Sequence, residues 1–335
     1  MNRILSGMRP TGPLHLGHLL GALENWKTLQ ESHECFFMVA DLHALMGEYE
    51  NPEDLERNSI EMVIDWLACG IDPKKSVIFI QSQIPEHAEL SLILGMLTPL
   101  GWLERNPTYK EQLREIHGRD LTTYGFLGYP VLQAADILLY KANRVPVGED
   151  QLAHLELTRE IVRRFKHFYK KDFFPEPEAL LTKEARILGT DRRKMSKSYG
   201  NAINLSDPEE RVREKVQSMI TDPARIKVLD PGHPEICNVY SYYQIFAKKN
   251  LVNDVYEWCT GAKKGCTDCK KEFASILVEK MSPIQKRRAE FSKDRDYLLE
   301  VIAEGRAKAQ KIARTTMDEL RGILHLVKLE GGGIK

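Results

Sequence analysis

The chain lacks an excess of charge of either sign. Its 335 residues include 48 lysines and arginines and 48 aspartates and glutamates, so the formal net charge at pH 7 is zero. A balanced chain has no overall attraction to nucleic acid or to an anionic membrane. Any contact with RNA must therefore come from a local basic patch, and neither DNA nor a membrane is an expected partner.

The sequence also lacks the apolar runs that targeting and membrane insertion require. No stretch is long enough to span a bilayer, and residues 1–7 lack the apolar core of a signal peptide. We therefore expect a cytoplasmic protein. In a reducing compartment the six cysteines are not expected to form disulfides, so a local cluster among them indicates metal or redox chemistry.

The first part of the chain alternates short apolar runs with helical ones. Strands are predicted over 3–6, 35–40 and 77–81, and helices over 17–30 and 54–69. This alternation predicts an α/β fold with a doubly wound parallel sheet of the Rossmann-like type. Such sheets bind nucleotides at the carboxyl ends of their strands.

After residue 206 the pattern changes, and we place a domain boundary there. Residues 1–206 are the predicted sheet domain, and residues 207–335 the predicted helical domain. Helices are predicted over 208–220, 239–248 and 251–259, followed by a long helical stretch over 283–326. The terminal helix can pack back onto the sheet domain.

Two short motifs point to chemistry on phosphates. The first, Pro13-Leu14-His15-Leu16-Gly17-His18, follows the first predicted strand and enters a helix. Backbone N–H groups and the helix dipole favour anions there, imidazoles add hydrogen-bond donors, and Gly17 lets a flat base approach the backbone. Taken alone, two histidines near a helix start are more often surface or capping residues.

The second motif is Lys194-Met195-Ser196-Lys197-Ser198, on a loop that ends at Gly200. Its ammonium groups can move onto a nucleotide triphosphate as negative charge builds on the α-phosphate and on the leaving pyrophosphate. By itself, a loop of lysine and serine is usually only a solvated loop.

Together and in this order, the motifs resemble the His-x-Gly-His and Lys-Met-Ser-Lys-Ser signatures of the class I aminoacyl-tRNA synthetases, and the first differs only in Leu16. The resemblance implies that an amino acid carboxylate attacks the α-phosphate of ATP. It implies that the residues stabilising this transition state are His15, His18, Lys194 and Lys197. It further implies ATP contacts from Gly17, Lys110, Gly148, Asp150, Met195, Ser196 and Ser198.

The middle of the chain indicates which amino acid is activated. The segments 129–140 and 145–151 resemble the tryptophanyl-tRNA synthetases almost letter for letter. The resemblance implies that Asp136 accepts the indole N–H, while Tyr129 and Gln151 hold the substrate ammonium. A carboxylate in an apolar pocket rejects phenylalanine, which would leave it unpaired. The residues expected to bind tryptophan are Leu5, Gly7, His43, Tyr129, Gln133, Asp136, Val145, Val147 and Gln151.

Tyrosine is the alternative substrate, because its hydroxyl can also donate to Asp136. The spacing of Tyr129, Gln133 and Asp136 also resembles the tyrosyl enzymes, and many tryptophanyl enzymes have methionine at Gln133. Tyrosyl enzymes usually place a tyrosine on the first strand, where this chain has Leu5, and leucine leaves room for a wider apolar ring. A synthetase-like RNA-binding protein without catalysis is a further alternative, against which the intact motifs argue.

Four of the six cysteines cluster with a C-x21-C-x6-C-x2-C spacing: Cys237, Cys259, Cys266 and Cys269. Four thiolates can close a zinc site or hold a [4Fe-4S] cluster; spacing alone favours zinc, and unrelated buried cysteines are the plain alternative. A subset of the tryptophanyl enzymes has this quartet, and that resemblance implies a [4Fe-4S] cluster. The lysines near the quartet, and the run at 286–288, are candidate contacts for tRNA phosphates or simply solvated charges.

The resemblance also implies the partners. They are L-tryptophan, ATP with Mg²⁺ held chiefly by the triphosphate oxygens, tRNA(Trp) read by the helical domain, and a second copy of the chain in a homodimer.

Overall fold

The computed structural model describes residues 2–115, 122–181 and 187–327. Within these ranges the sheet domain contains five parallel strands, so the predicted α/β class is confirmed. The strands are β1 (Arg3–Met8), β2 (Glu34–Val39), β3 (Ser76–Ile80), β4 (Arg144–Val147) and β5 (Glu178–Leu181). The first three coincide with the predicted strands to within two residues at each end. Residues of these strands and of the helices beside them form the apolar core, in which Cys35 and Cys69 are buried.

The order of the strands creates a binding crevice. They run β3-β2-β1-β4-β5, so the sheet grows in one direction from β1 to β3 and in the other direction from β4 to β5. Ligands of open parallel sheets bind at such a switch point, outside the carboxyl ends of the strands. Gly7 lies at this end of β1, where a Cβ atom would stand 2.7 Å from the carbonyl oxygen of Met38 on β2. A side chain at this position would therefore push β1 and β2 apart.

Helices connect the strands and form the second half of the described chain. They are α1 (Leu16–His18), α2 (Glu24–Leu29), α3 (Asp41–Glu48), α4 (Leu55–Ala68), α5 (Glu86–Leu97), α6 (Leu100–Glu104), α7 (Pro107–Glu115), α8 (Tyr124–Leu139), α9 (Leu152–Tyr169), α10 (Glu209–Ser218), α11 (Asn238–Phe246), α12 (Lys249–Thr260), α13 (Cys266–Phe291) and α14 (Arg295–Ile323). A π-helical turn, Leu19–Leu23, joins α1 to α2, so the helix predicted over 17–30 is present with a local widening. Among the described residues, none of the helices is both long and apolar enough to cross a membrane.

The long helical stretch predicted over 283–326 is two helices. The first, α13, begins at Cys266 and runs through Pro283, and the second, α14, begins at Arg295. The break falls at Asp294, whose carboxylate accepts a hydrogen bond from the backbone N–H of Tyr297 at 3.0 Å. This N-cap satisfies an amide that would otherwise be unpaired at a helix start, and it favours a new helix over a continuous one.

The last helix, α14, packs against the outer strand β3. At Gly305 a Cβ atom would lie only 1.7 Å from the carbonyl oxygen of Ile78, so the two backbones approach as closely as glycine permits. Further along, Ala309, Ala313 and Met317 are fully buried in the same core as the sheet. The C-terminal end of the described chain thus covers one edge of the sheet that bears the crevice.

Candidate active site

A cavity of about 530 Å³ opens at the carboxyl ends of β1 and β4. This volume falls within the range typical of small-molecule sites. All nine residues that sequence analysis assigned to tryptophan line it, and so do His18 and Gly148 from the ATP set. Residues from distant parts of the chain meet here because the sheet brings the ends of its strands to one edge.

Asp136 is a buried carboxylate in the wall of this cavity, and its side chain is 2% exposed. Its Oδ1 accepts hydrogen bonds from Gln81 Nε2 at 2.8 Å and from His87 Nδ1 at 2.6 Å. Its Oδ2 accepts one from His43 Nε2 at 2.8 Å. Burial is the strongest influence and raises the pKa of Asp136, but the hydrogen bonds and charges of His43 and His87 outweigh it and bring the pKa below its usual value. The carboxylate is therefore ionised at neutral pH.

A second polar group lies where the substrate ammonium is expected. The buried imidazole of His154 joins the two residues assigned to that group: its Nε2 is 2.6 Å from the Tyr129 hydroxyl, and its Nδ1 is 3.1 Å from Gln151 Oε1. Because Gln151 Oε1 can only accept, Nδ1 carries the proton and Nε2 accepts from the tyrosine. His154 thereby orients both partners at the cavity wall.

The two histidines of the first motif are neutral N–H donors. His15 Nδ1 accepts from the backbone N–H of Gly17 at 3.1 Å, and His18 Nδ1 accepts from that of His15 at 3.1 Å. In each neutral ring the proton is then on Nε2. Burial, with a smaller effect of the Lys197 charge, lowers the pKa of His15 to about 4. Burial, His15 and Lys197 lower that of His18 to about 3.

The position of the His15 ring requires glycine at residue 17. A Cβ atom at residue 17 would lie 2.9 Å from the imidazole ring of His15. The absence of a side chain at this position therefore allows the His15 ring to fold back over the start of α1.

The lysine loop touches the turn that precedes the first motif. Lys197 Nζ donates to the carbonyl oxygen of Gly12 at 2.8 Å. Burial lowers the pKa of Lys197 to about 8; the charge of Asp65 raises it and that of Arg9 lowers it to smaller extents. Asn201 holds the loop, since its Oδ1 accepts from the backbone N–H of Ser196 at 2.9 Å.

Several residues of the predicted ATP set do not reach the cavity. The side chain of Met195 is buried in the hydrophobic core, where it anchors the loop, so an ATP contact from this residue would come from its backbone. Lys110 on α7 and Lys194 on the loop are exposed and are absent from the cavity lining, as are His15, Gly17 and Ser196. The side chains of Asp150 and Ser198 lie outside the described part of the chain.

Five residues at or behind the cavity were missed by sequence analysis: Arg9, Gln81, His87, Tyr140 and His154. For Arg9 and Gln81 a signal existed, because each directly follows a strand and so lies at the functional edge of the sheet. The others are single polar residues within or at the end of apolar helices, a pattern that more often belongs to satisfied core residues.

The basic run at 286–288 is largely engaged within the protein. Arg287 Nε donates to the carbonyl oxygen of Ala68 at 2.6 Å, and Arg288 Nε donates to Asp65 at 2.7 Å. Asp65 in turn accepts a hydrogen bond from the backbone of Leu14, next to His15. These two arginines therefore connect α13 to α4 and to the first motif.

The four clustered cysteines line one small cavity of about 30 Å³ in the helical domain. Arg225 Nη1 lies 3.8 Å from Cys266 Sγ at its wall. Burial, the largest influence, raises the pKa of Cys269 to about 12 and also raises those of Cys237 and Cys259. Across the described residues, no group of three or more histidine, cysteine or acidic side chains is arranged to hold a metal ion.

Comparison with known proteins matches residues 1–281 to the family of class I tRNA synthetases for tryptophan and tyrosine. A tryptophan--tRNA ligase of Thermotoga maritima is 52% identical over 327 residues, which cover 97% of this chain and 99% of the relative. That of Aquifex aeolicus is 46% identical and is covered completely. A crystal structure of the Campylobacter jejuni tryptophanyl-tRNA synthetase with ADP and tryptophan is 32% identical, with a TM-score of 0.89 over 97% of this chain and 100% of that one.

Proposed function

Because this chain belongs to the tryptophan--tRNA ligases, within the class I tRNA synthetases for tryptophan and tyrosine, we propose that the cavity at the β1–β4 crevice is its site for tryptophan and ATP. The chain is an aminoacyl-tRNA ligase that activates L-tryptophan with ATP, releases pyrophosphate and transfers the tryptophanyl group to the 3′ end of tRNA(Trp). The observation that carries the assignment of the cavity is the buried, ionised Asp136 carboxylate in its wall, beside apolar residues such as Leu5 and Val147.

At one end of the cavity the substrate is recognised. Asp136 accepts the indole N–H between apolar walls that include Leu5 and Val147, while Tyr129 and Gln151 receive the ammonium. Leucine at residue 5 offers no hydrogen bond to a tyrosine hydroxyl, and it leaves space for the wider indole ring. The similar C. jejuni tryptophanyl-tRNA synthetase was solved as a complex with ADP and tryptophan, which supports a site for an adenine nucleotide and tryptophan in this fold.

Next to the cavity, the residues of the two motifs stabilise the negative charge that develops on ATP during the reaction. The substrate carboxylate is ionised at neutral pH and needs no base, so the task is to stabilise the negative charge on the α-phosphate and on the pyrophosphate that leaves. His15 and His18 supply Nε2–H donors, and Lys194 and Lys197 supply positive charge once their loop moves onto ATP. Arg9 adds a cation at the cavity edge. Mg²⁺ accompanies the triphosphate.

Pyrophosphate exchange with purified protein tests the choice of amino acid. Tryptophan should stimulate ATP–pyrophosphate exchange, and tyrosine at the same concentration should not. Stimulation by tyrosine alone would contradict the assignment of the pocket to tryptophan. Exchange with neither amino acid would favour the alternative of a binding protein without catalysis.

We further propose that the protein acts in the cytoplasm. In this proposal the sheet domain, residues 1–206, catalyses the reaction, and the helical domain, residues 207–335, binds the anticodon region of tRNA(Trp). The lysines beside the cysteines give this proposal little electrostatic support, because their charges are used locally. Lys264 pairs with Glu272, Lys271 lies 3.6 Å from Asp268, and Lys270 donates to the carbonyl oxygen of Gln217 at 2.8 Å. The shape of the anticodon loop and its bases would have to provide the specificity.

An exposed apolar surface supports the proposal of a homodimer. On α5, Leu92 and Met96 are 61% and 75% exposed, and they lie one helical turn apart. Leu100 and Tyr124 extend the surface, since the Tyr124 hydroxyl lies 3.9 Å from the position of a Cβ atom at Gly95. A contiguous apolar surface beside the substrate helices fits a second copy of the chain.

Changing Met96 to aspartate should convert the dimer to a monomer, because a buried, unpaired carboxylate destabilises an apolar interface. Size-exclusion chromatography with light scattering measures the mass directly. The matched control is Leu229→Asp, which alters an equally exposed leucine outside this surface. A wild-type protein that is monomeric, or a Met96→Asp variant that stays dimeric, would contradict the proposal.

We propose that Cys237, Cys259, Cys266 and Cys269 bind a [4Fe-4S] cluster. The support is that all four thiols line one cavity, with Arg225 beside them to offset the charge of thiolates. Because burial raises the pKa of the Cys237, Cys259 and Cys269 thiols, the positive charge of a metal group is what would favour their thiolate form. Bound, the group would stabilise the packing of α11, α12 and the start of α13.

Protein purified without oxygen should be brown and contain about four iron atoms and four sulfides per chain. Metal analysis and visible absorption measure this, and Cys269→Ser should remove most of the iron while Cys35→Ala should not. One zinc per chain in colourless protein would contradict the iron-sulfur assignment. Protein without bound metal would contradict any metal role for the quartet.

A further inference from the structure

The cavity depends on one histidine that does not line it. His87 on α5 is completely buried, behind Asp136 as seen from the cavity. Its Nδ1 is 2.6 Å from Asp136 Oδ1, and its Nε2 is 2.8 Å from the hydroxyl of Tyr140. An ionised carboxylate only accepts, so Nδ1 carries the proton and Nε2 accepts from Tyr140. The hydrogen bonds therefore run in one direction, from Tyr140 through His87 to Asp136.

The two carboxylate oxygens of Asp136 therefore differ in their hydrogen-bond partners. Oδ1 is saturated by Gln81 and His87, neither of which lines the cavity. Among the described residues, the hydrogen-bond partner of Oδ2 is His43, which does line the cavity. A ligand N–H that enters the cavity therefore meets Oδ2, beside His43 or in its place.

Tyr140 is itself held rigidly. Its ring is fully buried and stacks on Phe36 with 5.0 Å between ring centroids, and it also contacts Phe79 at 5.4 Å. The hydroxyl cannot turn away to another partner without moving these rings. Packing in the core thus holds the hydroxyl oxygen of Tyr140 within hydrogen-bond distance of His87 Nε2.

We propose that His87, oriented by Tyr140, is a positioning residue for specificity: it holds the Asp136 carboxylate so that Oδ2 selects an aromatic substrate with a ring N–H. The inference rests on the proposed function, in which Asp136 accepts the indole N–H. It adds that selectivity for the ring nitrogen is set from behind the pocket by residues that never touch the substrate.

The electrostatic environment agrees with this geometry. Burial raises the pKa of Asp136, and the two histidines reverse that effect. Charged groups near the network include Glu86 on α5, which acts on Tyr140, and Arg314 on α14, 3.4 Å from Glu86. Arg3 on β1 donates to the carbonyl oxygen of Tyr140 at 2.6 Å. Without His87, burial is opposed only by the donors of His43 and Gln81, and the pKa of Asp136 rises. In a variant that lacks His87, the preference for a substrate with a ring N–H should therefore weaken as the pH falls. In the wild type this preference should stay constant near neutral pH.

The test compares tryptophan with its benzothiophene analogue, in which sulfur replaces the ring N–H. His87→Leu should lower kcat/KM for tryptophan by about 10-fold to 10²-fold, the equivalent of one charged hydrogen bond, and should change kcat/KM for the analogue little. His87→Asn, which retains an N–H donor, should restore most of the preference. Tyr140→Phe, nearly isosteric, should produce an intermediate loss. The control is His167→Leu, on the exposed surface of α9.

The outcomes separate the inference from the function on which it rests. If tryptophan does not stimulate exchange in the wild type, the proposed function fails. If the wild type responds but His87→Leu lowers kcat/KM equally for both compounds, His87 only supports packing and the inference is overturned. An unchanged preference in both His87→Leu and Tyr140→Phe overturns it as well. The KM for ATP and the melting temperature show whether each variant is folded.

Discussion

Changing Asp136 to alanine should lower kcat/KM for tryptophan by about 10²-fold to 10³-fold and leave the KM for ATP nearly unchanged. The variant loses the acceptor for the indole N–H. It also leaves the donors of His43, His87 and Gln81 without their common partner in a buried site. Unpaired buried donors add to the loss, because they give up hydrogen bonds to water and gain none.

Steady-state pyrophosphate exchange with each substrate varied in turn measures both constants. Asp136→Asn is the matched control for volume: it retains the shape but not the charge, so it should show a large part of the same loss. A collapse of ATP binding in the alanine variant would contradict the specific role. Asp136 would then be a structural residue at the centre of the sheet domain.

Changing Lys197 to alanine should lower the rate of adenylate formation by about 10²-fold to 10³-fold, as for other donors that stabilise developing negative charge. Tryptophan affinity should change little, because Lys197 contacts Gly12 and is absent from the lining of the tryptophan cavity. Single-turnover kinetics separate the two quantities. Equal losses in rate and in tryptophan affinity would show that the loop acts on the ground state.

The same lysine predicts a pH dependence. Burial lowers the pKa of Lys197 to about 8, so its ammonium is charged below pH 8 and is lost above it. The rate of adenylate formation should therefore fall as the pH rises from 7 to 9. Lys197→Arg, which stays charged throughout this range, should remove the dependence. A rate of adenylate formation that is constant from pH 7 to 9 in the wild type would contradict the role of this charge.

The fold was predictable because its signal is local. In the first 80 residues, apolar runs of strand length alternate with longer helical patterns, and the structure places β1, β2 and β3 where the pattern predicts them. Helix ends were less predictable. Pro283 is a typical helix start yet lies within α13, while the break at residues 292–294 depends on a single capping carboxylate at Asp294.

The tryptophan set was predicted through the family resemblance, and the structure brings all nine of its residues to one cavity. The ATP set was predicted less completely, because lysines on loops and short helices can reach a ligand only after movement. Met195 shows the difference: the motif suggested a nucleotide contact, whereas its side chain is part of the core. A sequence motif records which residues occur together but not which way each side chain points.

By itself, the sequence determined the strands of the sheet and the two phosphate motifs, since each is a local pattern or a contiguous motif, and the family resemblance added the set of residues expected to bind tryptophan. The tertiary structure alone decided the protonation of His15 and His18, the anchoring role of Arg287 and Arg288, and the network of Tyr140, His87 and Asp136. These properties arise from burial and from contacts between distant segments. The pKa of a group and its hydrogen-bond partners depend on the residues that surround it in space, and the neighbouring residues in the chain do not determine them.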